Sequence, residues 1–213
     1  AAMPSRLALH FAVKANPFAP LLAQMAGLVD GFDIASAGEL ERALAAGMAA
    51  REISFAGPGK RDAELDAAIR AGATLNCESE AEAERAIAIG QRLGSVPRLA
   101  VRVNPDFDLK GSGMKMGGGA KPFGLDAARV PALVKRILAA GADWRGFHIF
   151  AGSQSLDTAA IIDTQAQTLD LAARLSDEAG AVCPKLNLGG GFGIPYFPGD
   201  TPVDLDLVGT LLA

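Results

Sequence analysis

The sequence predicts an α/β protein built as a TIM-like (β/α)8 barrel, and three observations carry that expectation. Short apolar runs rich in branched residues alternate with Ala/Leu/Glu-rich stretches of helical period. Alternate residues along the strands divide into an apolar set and a smaller, more polar set. The polar members gather near strand C-termini, where barrel enzymes place their chemistry.

The strands read in order as LALHFAV (7–13), GFDIAS (31–36), EISFAG (52–57), ATLNCES (73–79), RLAVRVN (98–104), GFHIFAG (146–152) and PKLNLGG (184–190). Between them lie SAGELERALAAG (36–47), RDAELDAAIRAG (61–72) and ESEAEAERAIAIGQRLG (78–94), each with helical periodicity. Strand–helix alternation at this spacing indicates βαβ units and a parallel sheet. Seven strands are legible, and one more would close an eight-stranded barrel. In the first strand Leu7, Leu9, Phe11 and Val13 share a face suited to covering helices. Ala8, His10, Ala12 and Lys14 share the other. The same split groups Ala100, Arg102 and Asn104, and then His148 and Phe150. An open doubly wound sheet would more often be apolar on both faces, so the alternation favours a barrel. The segment 105–124, PDFDLKGSGMKMGGGAKPFG, holds six glycines and three lysines without periodicity and reads as a long loop, either an active-site lid or a mobile excursion.

The 213 residues, 50% hydrophobic with a net charge of −4, suit one large domain over 1–213 better than two small ones. No long Lys/Arg stripe is present, which argues against nucleic acid as a partner. No apolar run approaches the roughly 18 residues that a bilayer demands, and no signal-peptide pattern opens the chain. A cytoplasmic location follows. Cys77 and Cys183, isolated in apolar segments, read as buried reduced thiols. The first strand begins almost at once and VDLDLVGTLLA (203–213) stops inside an amphipathic helix, so the domain reads as incomplete at both ends.

Lys14, after FAV, is the first chemical oddity. A buried lysine is rare without a partner, and desolvation favours its neutral, nucleophilic amine. Such an amine can form a Schiff base with an aldehyde. The alternative is a salt bridge to a carboxylate such as Asp33. The second feature is NLGGGFG (187–193), where consecutive glycines after a strand let backbone N–H groups approach an anion. It is not the dinucleotide fingerprint, because Pro195 and Pro198 interrupt any following helix. AGSQS (151–155) adds a small turn and the Ser153 hydroxyl. Two phosphate sites and an inward lysine suggest a phosphorylated aldehyde, pyridoxal 5′-phosphate. A barrel binding a sugar phosphate remains the rival.

The order of motifs resembles the fold-type III pyridoxal-phosphate decarboxylases, the diaminopimelate/ornithine/arginine decarboxylase family. FAVKAN, GFDIASAGEL, FAGPGK, RVNP, GFHIFAGSQ and LNLGGGFG follow in that family's order across the whole chain. FAGPGKRDAEL, GSGMKMGGG and GGGFGIPYFPGDTP look like the exosortase-associated decarboxylase subgroup of bacterial exopolysaccharide production.

The resemblance implies an alanine racemase-type barrel, incomplete after about seven strands, without the family's C-terminal β-domain and without the glutamate that pairs with the pyridine nitrogen. It implies that Lys14 carries the cofactor covalently, and that Gly189, Gly190 and Gly191 hold its phosphate with Ser153. Asp33 and Glu39 would line the pocket, with Arg102 beside the cofactor. Glu39 reads equally as a first-turn acid favoured by the helix dipole. Aligned on GSQ, Phe150 falls where the family stacks a histidine on the ring, and an aromatic face can stack there too. His148, two residues earlier, would be a neighbouring or core histidine. KPFG replaces the family's KFG at Lys121. The implied activity is decarboxylation of an amino acid by a homodimer. Racemisation and a non-catalytic, regulatory cofactor-binding role are the alternatives.

Overall fold

The computed structural model describes residues 3–107, 114–115 and 122–213. The chain runs β1 (His10–Ala12), α1 (Ala19–Met25), β2 (Gly31–Ile34), α2 (Ala37–Ala45), β3 (Ile53–Phe55), α3 (Asp62–Ala71), β4 (Thr74–Cys77), α4 (Glu80–Leu93) and β5 (Arg98–Asn104). It continues through β6 (Met114–Lys115), β7 (Leu125–Asp126), α5 (Val130–Ala139), β8 (Asp143–Ile149), β9 (Gly152–Ser153), α6 (Thr158–Ala179), β10 (Leu186–Asn187) and α7 (Leu205–Leu211).

Local chemistry sets the helix starts. Ser36 and Ser79 accept hydrogen bonds at 3.2 Å from the amides of Glu39 and Glu82, capping α2 and α4. Asp157 does the same for α6 through the Ala160 amide at 3.0 Å. The helices pack on the outer face of the sheet. There Phe32, Phe55, Leu75, Leu99 and Ile149 meet Leu40, Leu65, Ala83, Ile137 and Leu175, all buried in one core. Each such side chain contributes roughly 1.5–3 kcal/mol by leaving water.

Seven parallel strands follow one another in the order β1-β2-β3-β4-β5-β8-β10, with β7 beside the end of β5. One hydrogen bond proves that this sheet is curled. Asn187 of β10 donates through Nδ2 to Asp33 Oδ2 of β2 at 3.2 Å. Five strand steps separate those two strands along the sheet, about 24 Å if it were flat. No pair of side chains could span that, so the strands bend round into an incomplete barrel with the polar residues on its concave face. Gly146 makes part of the bend possible. It has φ +104°, and a Cβ there would collide with the Lys185 carbonyl.

Three sequence expectations change. The first strand is three residues long, and Leu9 is 59% exposed, because β1 is an edge strand that pairs only with β2 among the described residues. The segment 105–124 is not uniform loop: β6 pairs antiparallel with β9, and β7 pairs with β5. Lys110 and Lys121 lie outside the described residues. Cys77 is buried, as its apolar segment suggests, and burial pushes its thiol up to about 12. Cys183 is only half-buried, its Sγ lying 3.0 Å from the Lys185 carbonyl, because it precedes the short β10 where the wall thins.

Candidate active site

The C-terminal strand ends bring together most of the polar residues singled out in the sequence. Pairing of the strands puts Arg102 opposite His148, and His148 opposite Asn187. These three inward residues form one level of the concave face. Asp33 reaches the same level from β2. Its Oδ1 lies 3.1 Å from His10 Nδ1, and its Oδ2 accepts from Asn187. Burial raises the Asp33 pKa, but the His10 hydrogen bond, the two imidazole charges and the Asn187 amide outweigh it, so its carboxyl falls below the usual range.

His148 and Arg102 are each 9% exposed. Burial, helped by the Arg102 charge, lowers the His148 pKa to about 4, so its imidazole is neutral near pH 7. His148 Nδ1 is buried and meets no hydrogen-bond partner among the described residues. Arg102 donates through Nη1 to Glu78 Oε1 at 3.0 Å, and its guanidinium lies 5.0 Å from the Phe123 ring centroid. Glu78 also accepts from the amides of Gly57 and Gly124.

Lys14 departs from expectation. It lies in a 3-10 turn, Val13–Ala15, that follows β1, and its side chain is exposed rather than buried. The strand ends at Ala12, one residue before the sequence suggests, and the turn that follows lifts the lysine to the rim. A desolvated amine is therefore not what the structure holds. Nor is Asp33 its partner, since His10 and Asn187 occupy that carboxylate. Lys14 still lies close enough to His148 for its charge to depress that imidazole. It therefore stands above the polar floor.

The two glycine-and-serine turns predicted separately form one structure. The Ser155 amide donates to the Gly191 carbonyl at 2.9 Å, and the Gly193 amide donates to the Ser155 carbonyl at 2.7 Å. Ser153 sits just before this junction, on β9. Gln154 between them has φ +59°, the only left-handed non-glycine among the described residues. Such strain clusters at functional turns. The Gly189 amide is already taken by Asn187 Oδ1 at 2.8 Å, so Gly189 offers no free donor. The Gly190 and Gly191 amides meet no acceptor among the described residues. Gly189 is instead a spacer: at φ +69°, a Cβ there would lie 2.6 Å from the Phe150 ring. Phe150 thus packs directly on the turn.

Glu39 stays outside this constellation. Its Oε2 accepts from the Ala35 amide at 2.6 Å, which closes the start of α2. Sequence reasoning missed Glu78 and the buried Lys60–Glu82 pair. Lys60 Nζ donates to Glu82 at 2.6 Å and to the carbonyls of Gly57 and Asn76. A lone acid after a strand and a lysine in a Pro-Gly turn both resemble solvated surface residues. Only the packing of β3 and β4 shows otherwise.

Residues 1–212 match the model of the family described as pyridoxal-dependent decarboxylase, pyridoxal binding domain. The chain belongs to that family. It is 38% identical over 200 residues to diaminopimelate decarboxylase of Neisseria meningitidis serogroup A, covering 90% of this chain and 48% of that one. It is 36% identical over 177 residues to the L-glutamyl-(BtrI acyl-carrier protein) decarboxylase of Niallia circulans, covering 82% and 41%. Among solved structures, diaminopimelate decarboxylase from Helicobacter pylori complexed with L-lysine superposes with a TM-score of 0.88 at 29% identity. That match covers 99% of this chain and 54% of the other. The chain spans about half the length of the relatives it matches.

The cofactor of the family is pyridoxal phosphate, and the geometry fits it. Gly190, where an added Cβ meets open space, leaves a cradle for an anion beside two free amides. The orphaned His148 Nδ1 leaves a buried polar atom for a ring substituent to satisfy. No described helix is long and apolar enough to cross a membrane.

Proposed function

We propose that the chain is the cofactor-binding barrel domain, over residues 1–213, of a pyridoxal-phosphate-dependent amino-acid decarboxylase. The observation that carries this reading is the meeting, at one end of the barrel, of a rim lysine, a joined glycine–serine turn and a buried polar floor. Bound there, pyridoxal phosphate supplies a conjugated ring that accepts the electrons left behind when a carboxylate departs as CO2.

The chain's own residues supply binding and orientation. Lys14 is the residue to hold the aldehyde covalently. Its exposed rim position lets an incoming amine reach it, and its ammonium form can hand a proton to a carbon held above the floor. The Gly190 and Gly191 amides and the Ser153 hydroxyl are the phosphate donors, with Gly189 keeping Phe150 close to the turn. Phe150 offers an apolar face to the ring and carries no proton. Arg102 faces the cofactor edge as a fixed cation, Asp33 as a fixed anion, and His148 as a neutral polar group. Glu39 remains a pocket candidate through the β2–α2 turn that it closes.

A substrate of the diaminopimelate type is supported by the name of the Neisseria relative, while the ornithine and arginine types rest on the resemblance of the motif order. The exosortase-associated subgroup, with its link to exopolysaccharide production, rests on FAGPGKRDAEL, GSGMKMGGG and GGGFGIPYFPGDTP. We place the reaction in a homodimer, as the family resemblance implies, and in the cytoplasm, as the sequence reading expects. The test is CO2 release from a panel of amino acids with the cofactor supplied. Release from at least one of them, lost in Lys14→Ala, supports decarboxylation. No release from any refutes it, and racemised product in its place would turn the reading to a racemase.

A further inference from the structure

We propose that Glu78 is a positioning residue of this site, setting the direction of the Arg102 guanidinium and anchoring the Phe123–Gly124 segment to the barrel. The inference rests on the cofactor reading above only for its consequence; its geometry stands alone. Glu78 follows β4, and its side chain is 2% exposed. Oε1 accepts from Arg102 Nη1 at 3.0 Å and from the Gly57 amide, while Oε2 accepts from the Gly124 amide at 3.0 Å. One carboxylate therefore ties together the ends of β3, β4 and β5 and the chain entering β7.

Every partner of Glu78 is a donor, and an ionised carboxylate is the one side chain of this shape that only accepts. A glutamine of equal size would turn an NH2 group toward one of those donors. Arg102 is held twice over, at one nitrogen by Glu78 and on its face by Phe123. It is also the residue opposite His148. Without the carboxylate, a long flexible cation is free to swing out of that level, and a site needs its contacts held by supporting hydrogen bonds. A plain structural acid would tie backbone amides together. Glu78 adds the arginine to them, and that distinguishes the two roles.

Two measurements on Glu78→Gln test this. In the cofactor-free protein, the Arg102 side-chain resonances should be displaced by the ring current of Phe123. They should return toward unperturbed values in Glu78→Gln, and in Phe123→Leu used as a control. Arg102 resonances that do not move in Glu78→Gln overturn the proposal. In the second measurement, cofactor affinity should fall about tenfold in Glu78→Gln and in Arg102→Met, and no further in the double variant, since residues acting through one another are not additive. Additive losses overturn the proposal. Should Glu78→Gln fail to fold, the double variant, which leaves no unpaired buried cation, is compared with Arg102→Met alone by the same criterion. A wild-type protein that takes up no cofactor refutes the proposed function, and the resonance measurement then decides the role of Glu78 without it.

Discussion

The two sides of the barrel mouth differ in how far their polar groups are tied to one another. On the β3–β5 side, Lys60 Nζ has three acceptors and Glu78 has three donors from three separate stretches of chain. Glu82 Oε2 is buried there and meets no hydrogen-bond partner among the described residues. On the side formed by β1, β8 and β10, Lys14 is exposed on its turn, and among the described residues the Gly190 and Gly191 amides meet no acceptor and the buried His148 Nδ1 meets no hydrogen-bond partner. Buried polar groups are costly unless satisfied. The first side therefore chiefly ties the fold together, and the second, with its solvent-facing amine and amides above the buried imidazole, is the side proposed for the ligand. A substitution should damage stability on one side and cofactor binding on the other.

The largest stability effect is expected at Lys60. Lys60→Met leaves Glu82, only 2% exposed, as an uncompensated buried charge. Burial already pushes the Glu82 carboxyl up against the pull of Lys60. A loss of about 3–5 kcal/mol is expected in denaturant unfolding, and Lys60→Met/Glu82→Leu should recover most of it. A loss under about 1 kcal/mol would put Lys60 in the class of ordinary surface residues.

His148 comes next, through pH. Its folded pKa of about 4 lies below its ordinary 6.5, burial being the main cause. Between those values the unfolded chain binds a proton that the folded chain does not, so stability falls as pH drops through that window. The full loss by pH 4 is roughly 3 kcal/mol. His148→Leu should flatten this limb. Asp33 shifts in the same direction but in a lower window: its lowered pKa adds stability that is present above the ordinary 3.8 and is lost only at more acid pH. The two contributions are separable in a pH series of unfolding midpoints. A wild-type curve flat from pH 6.5 to 4 contradicts the buried, neutral imidazole.

Gly189→Ala should cost less, about 1–3 kcal/mol, from the left-handed φ and the 2.6 Å approach to Phe150. It moves Phe150 off the turn, so cofactor affinity should fall by more than the stability loss alone suggests. Gly190→Ala meets open space and should leave stability nearly unchanged.

How much of this was legible in the sequence follows from the same contrast. The alternation of strand and helix is local, and α2, α3, α4 and the strand cores fell where periodicity put them. His148 and Arg102 were marked as inward because side chains alternate across a strand. Lys14 was misjudged because its environment depends on where β1 ends, and a three-residue strand followed by a tight turn leaves no periodic signal. Glu78 and Lys60 escaped notice because their partners are 20 or more residues away in sequence for the most part. Gly189 was read as an amide donor, yet Asn187, two residues earlier, takes that amide. Spacing shows where glycines cluster, but not which of their amides are spent.

Lys14→Ala should have the smallest effect on stability, within about 0.5 kcal/mol, since the side chain is exposed. Its effect on the cofactor should be complete, and that makes it the most direct test. The protein is incubated with pyridoxal phosphate, reduced with borohydride, digested and read by mass spectrometry. A reduced phosphopyridoxyl adduct is expected on the peptide carrying Lys14, with its disappearance in Lys14→Ala. An adduct distributed over other lysines, or none at all, would contradict that expectation.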